Sequence, residues 1–177
     1  MKSLLTLAGA VIAAAALASA QQSPSQTASV TIAGKTIGIK YAAPSVKGRE
    51  GKLFGKDGRI AKDPNYPVWR AGANSATSFH TDADLDAGGL AVPKGDYTLY
   101  INLADPDNWE LIVNKQTGQW GLTYDASQDL GRVKMNMSKP AATIETLQYK
   151  LGDEGGHKAR LVLEWEDHVA SVPITVK

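Results

Sequence analysis

Residues 93–113 read PKGDYTLYINLADPDNWELIV, and this stretch decides the fold. Pro93-Lys94-Gly95 is turn chemistry: proline presets one backbone angle and glycine supplies the conformation that reverses the chain. The run from Asp96 to Leu103 that follows is rich in β-branched and aromatic residues, as strands are. Asp105-Pro106-Asp107-Asn108 makes a second turn, and Trp109 to Val113 supplies a second apolar run. Two short apolar runs bounded by turn signals read as neighbouring antiparallel strands.

The same signal continues outward in both directions. Val30-Thr31-Ile32 and Thr36 to Tyr41 flank Ala33-Gly34-Lys35, a short hairpin connection. Ser75 to Leu85 reads as one alternating strand, and so does Arg132 to Met137, with Val133, Met135 and Met137 set against Arg132, Lys134 and Asn136. Thr146 to Leu151, Lys158 to Glu166 and His168 to Val176 complete the set. In the last hairpin Leu161, Leu163 and Trp165 face one way, with Val162, Glu164 and Glu166 the other. No strong helical stripe appears beyond the first twenty residues. The pattern predicts an all-β protein, an antiparallel β-sandwich or related barrel. Ala42 to Pro67 has little strand character. Leu53, Phe54, Tyr66 and Val68 can pin it to the body, so one long ordered loop is expected.

Met1-Lys2, the apolar run from Leu4 to Leu17 and the small residues Ala18-Ser19-Ala20 together match a secretory signal peptide over residues 1–20. The run is shorter than the ~20 apolar residues a membrane span needs, so no stable anchor is expected after cleavage. Residues 21–28 read as a flexible lead-in, and residues 29–177 as a single β-sandwich domain. The chain has no cysteine, which excludes disulfides, a thiol nucleophile and zinc-thiolate sites. A formal charge of +1 gives no global pull toward nucleic acid. A periplasmic or extracellular destination is expected.

Within this frame one basic segment stands out. Ser45-Val46-Lys47-Gly48-Arg49 leads through Phe54-Gly55-Lys56-Asp57-Gly58-Arg59 to Val68-Trp69-Arg70-Ala71-Gly72-Ala73-Asn74. Guanidinium groups suit carboxylate, phosphate or sulfate, and a tryptophan offers a flat wall for a ring. Lys47, Arg49, Trp69, Arg70 and Asn74 are therefore the candidate ligand-binding residues. The structural alternative is that Arg70 pairs with an internal acid while Asn74 caps a turn.

Other constellations are weaker. The aspartates of Asp82, Asp84 and Asp86 resemble a calcium loop, but the sixth and twelfth positions are Ala87 and Pro93 in place of Gly and Glu. A strand with Asp82 and Asp84 outside and Ala83 and Leu85 inside is expected there. His80, His157 and His168 show no metal-ligand spacing. Ser171, His168 and Asp167 share one strand and cannot converge as a triad. Glu164 and Glu166 would lie about 7 Å apart on one strand face, where solvated charges are expected. Tryptophans 69, 109, 120 and 165 fall among apolar strand positions, where packing between sheets accounts for most. No catalytic residue, metal or cofactor is assigned.

Ile39-Lys40-Tyr41, Pro44, Lys47-Gly48-Arg49, Leu53-Phe54-Gly55, Trp69 to Asn74, Val92 to Tyr100, Trp109, Asn114-Lys115, Trp120-Gly121, Glu145-Thr146-Leu147 and Leu163-Glu164-Trp165 together resemble a family of uncharacterised secreted bacterial proteins, the domain-of-unknown-function family 2911. Pro93-Lys94-Gly95 departs from the Pro-Ala-Gly more usual there. The resemblance implies that Lys47-Gly48-Arg49 and Trp69 to Asn74 form one motif, and it implies no activity. Two functions are carried forward. One is an exported noncatalytic domain that binds a small anionic or sugar-like ligand, or an envelope protein partner, through the Lys47–Asn74 region. The other is an envelope hydrolase or isomerase using Arg49, Arg70, Asn74 and His80.

Overall fold

A computed structural model describes residues 22–177, and the expected signal peptide lies outside the described residues. In chain order the strands begin with β1 (Ser25–Ile32), β2 (Lys35–Ala42), β3 (Val68–Trp69), β4 (Thr77–Thr81), β5 (Leu85–Ala87) and β6 (Leu90–Val92). They continue with β7 (Gly95–Asn102), β8 (Glu110–Asn114), β9 (Asp129–Lys134), β10 (Asn136–Ser138), β11 (Ile144–Gly155), β12 (Lys158–Glu166) and β13 (His168–Val176). Among the described residues there is no α-helix, only short 3-10 turns at Ile60–Lys62 and Ala126–Gln128.

The strands form two antiparallel sheets that do not close on themselves, so the related barrel is set aside. The first runs β1-β2-β4-β7-β8-β9, with β3 pairing β7. The second runs β11-β12-β13-β5-β6, with β10 pairing β13. Alternation fills the space between them: Ile37 and Ile39 of β2, Leu99 and Ile101 of β7, Leu161, Leu163 and Trp165 of β12, and Val172, Ile174 and Val176 of β13 are all buried in one core. The outer face of the first sheet is covered as well. There Val68, Tyr100 and Ile112 form a second buried group with Tyr124 packed on it. This is why β7 reads as a nearly continuous apolar run.

Three expectations are corrected. The chain pairs from Ser25 onward, so residues 25–28 belong to β1 and are not part of a flexible lead-in. Ser75 to Leu85 is two strands in different sheets: β4 pairs β2 and β7, while β5 pairs β13 and β6. The change of sheet occurs at Asp82–Asp84. A second change occurs at Met135, between β9 and β10, where the backbone N–H bonds the carbonyl of Trp109.

The long loop is ordered, as expected, and its anchors are visible. Val46 is fully buried, Leu53 and Ile60 are buried, and Phe54 packs beside the core. Val46 N–H donates to the Glu145 carbonyl and Leu147 N–H to Pro44, which docks the loop on β11. Gly51 N–H donates to the Glu166 carboxylate at 2.6 Å.

Candidate functional site

The residues that build the site come from four places brought together by the fold. The loop docked on β11 carries Lys47 and Arg49. Lys47 N–H donates to Glu145 Oε1 at 3.0 Å, and its φ of 48° lies in the left-handed region. Arg49 folds back on its own loop, with Nε donating to the Val46 carbonyl at 2.8 Å and Nη2 to that of Ser45. Part of its hydrogen-bonding capacity is therefore structural.

The second contribution is β3 and the segment that follows it. Trp69 is buried and stacks on Trp165 with ring centres 5.9 Å apart and planes at 14°. Phe54 meets it edge-on at 5.6 Å. Arg70 to Asn74 then forms a tight turn fixed from inside. Thr77 Oγ1 donates to the carbonyls of Arg70 and Ala71, and the buried Tyr149 hydroxyl donates to that of Ala71. Ala71 and Asn74 have φ of 46° and 61°. Left-handed backbone costs a non-glycine residue about 1–2 kcal/mol, so the surrounding bonds hold this turn against its own preference.

The third contribution is the far end of the loop, with Arg59, Lys62 and Asp63, and the fourth is Trp120. Together these residues line a cavity of about 720 Å³. All five residues singled out by sequence, Lys47, Arg49, Trp69, Arg70 and Asn74, stand on its wall. Sequence reading missed Arg59, Lys62, Asp63 and Trp120. Arg59 was visible in the basic run after Phe54. Trp120 is 53% exposed, the one large apolar side chain of the described residues left in this state.

The charge of the wall is one-sided. Lys47, Arg49, Arg59, Lys62 and Arg70 face one carboxylate, Asp63. None of the five forms an ion pair among the described residues. Arg70 is the extreme case. Its Nε and Nη1 are buried with no hydrogen-bond partner among the described residues. Burial pushes its guanidinium below the usual arginine range, opposed by the field of Asp63. The expected pairing of Arg70 with an internal acid is not what the fold provides. Such pairing is the normal condition of a buried cation.

His80 is not among the lining residues. It is exposed, with Nδ1 2.7 Å from Asp96 and Nε2 3.0 Å from Asp82. The Asp96 hydrogen bond first, then that of Asp82, raises its pKa above the usual histidine value. Glu166 is also corrected. It is 4% exposed, at the turn between β12 and β13, with φ of 54°. Desolvation raises its pKa, opposed by the Gly51 hydrogen bond. Ligand atoms of Glu166, Asp167 and His168 lie within 4.8 Å of one another. In this arrangement the Glu166 carboxylate is already engaged in holding the loop.

A family model described as a protein of unknown function (DUF2911) matches residues 23–174. The chain belongs to that family. No curated protein and no solved structure matches it. The DUF2911 match runs through both sheets and the intervening loop, so every element that forms the cavity lies inside it.

Proposed function

We propose that the protein is an exported domain that binds a small anionic ligand in the Lys47–Asn74 cavity. The observation that carries this reading is Arg70, a part-buried cation whose Nε and Nη1 have no acceptor among the described residues, set in a wall to which those residues contribute five cations and one carboxylate. A fold that buries a guanidinium ordinarily supplies its counter-charge. Here a ligand would supply it. The reading is of binding without bond chemistry: the lining holds a single carboxylate and no histidine, and Arg49 is partly occupied by carbonyls. Export to the periplasm or beyond rests on residues 1–20, and a mature N-terminus near Gln21, read by sequencing protein from its host, would support it.

The test is thermal unfolding of the parent and Arg70→Met with citrate or sulfate. The parent should gain stability with either anion, less so as sodium chloride rises. Arg70→Met should unfold at a similar temperature without anion and respond little to it. No anion response in the parent, or a collapse of the variant, would assign Arg70 to scaffolding.

A further inference from the structure

Resting on that reading, we infer that the ligand is an acidic sugar chain, with its carboxylates among the cations and a ring laid on Trp120. Three features converge. The wall is rich in donors and poor in acceptors, so the ligand that complements it is rich in acceptors and negatively charged. The volume of about 720 Å³ is that of a site for a molecule of several rings or branches, well beyond an inorganic anion.

The third feature is Trp120. Elsewhere among the described residues large apolar side chains are withdrawn from water, including Trp69, Trp109 and Trp165, while Trp120 stays 53% exposed at this cavity. Its backbone is fixed: Ser75 bridges Trp120, Thr123 N–H donates to the Trp120 carbonyl, and Gly121 N–H donates to the Asn74 carbonyl at 3.0 Å. A Cβ on Gly121 would stand 2.4 Å from Arg70 Cδ and 2.6 Å from the Asn74 carbonyl oxygen. Glycine at this position therefore lets the Trp120 segment lie directly against the Arg70 side chain, and the exposed indole and the guanidinium line the same cavity. A pyranose presents an apolar C–H face to such a plate and keeps its hydroxyl edges in water, which suits an indole left half open to solvent. A ligand without a ring would make no use of it.

The experiment compares binding of three probes by calorimetry: a uronic-acid trimer, the neutral trimer with the same linkage, and citrate. The parent should bind the acidic trimer about fivefold to tenfold more tightly than citrate and should bind the neutral trimer weakly. Trp120→Ala, a change at an exposed side chain, should weaken the acidic trimer about fivefold to tenfold and weaken citrate far less. Arg70→Met should weaken both anions. Equal affinity of the parent for citrate and the acidic trimer, or indifference of the trimer to Trp120→Ala, would overturn the sugar assignment while the anion cavity stands. Failure of both anions to bind would overturn the two readings together. Tight binding of the neutral trimer would remove charge from the recognition.

Discussion

Arg70 and His80 are both basic side chains held near the first sheet, and the fold treats them in opposite ways. His80 sits in water with a carboxylate on each ring nitrogen. Arg70 is drawn into a cavity wall and given no acid within ion-pairing distance among the described residues. The first arrangement gives the ring nitrogens partners that solvent would have supplied anyway, and exposed pairs of this kind contribute little. The second leaves a part-buried charge with no acid paired to it among the described residues. Burial and the hydrogen-bond inventory separate the two places.

The largest test of this contrast removes the floor beneath Arg70. Trp69→Ala should cost about 3–5 kcal/mol in urea unfolding, because Trp69 is buried against Phe54, Trp109 and Trp165. A loss under about 1 kcal/mol would mean that the cavity floor is not part of the core.

Gly121→Ala sharpens the comparison at the wall. The new methyl would meet Arg70 Cδ and a backbone oxygen, so Arg70 must move. The expected loss is about 1–3 kcal/mol, with a weakened anion response. Stability and response both unchanged would show that Arg70 does not depend on the close approach.

The smallest effect is expected at His80. Its folded-state pKa is raised, so its stabilising contribution is fully present below the unfolded-state pKa. That contribution is lost as pH rises through the folded value. An NMR titration of His80 should give a pKa above the ordinary ~6.5. Asp96→Asn should lower it more than Asp82→Asn, following the order of the two hydrogen bonds. The reverse order would reassign the dominant partner. Citrate response should be unaffected by either change.

Most of the strands were legible because alternation reports burial directly. The crossings between sheets were not, and the reason is visible in the residues. Thr77, Phe79, Thr81, Ala83, Leu85 and Ala87 are all buried, so the period of two continues unbroken through the point where the chain leaves one sheet for the other. Both sheets face the same interior, and a pattern of burial cannot say which sheet does the facing. Val133 and Met135 carry the pattern across the second crossing in the same way. Glu166 was misread for the converse reason: its strand position is outward, but Gly51 of the loop comes to cover it. In the site, Lys47, Arg49, Trp69, Arg70 and Asn74 could be gathered from their residue types and nearness in sequence. Arg59 stands in the same basic run, whereas Lys62, Asp63 and Trp120 join them only through the path of the loop and the placement of residues 120–122, which no local period encodes.

The position of β13 bears on how the molecule comes to be. β13 pairs with β12 on one side and with β5 and β10 on the other, so the second layer has no middle until residues 168–176 are present. That layer therefore locks only through pairings between residues far apart in the sequence, β13 with β5 and with β10, and such pairings form slowly.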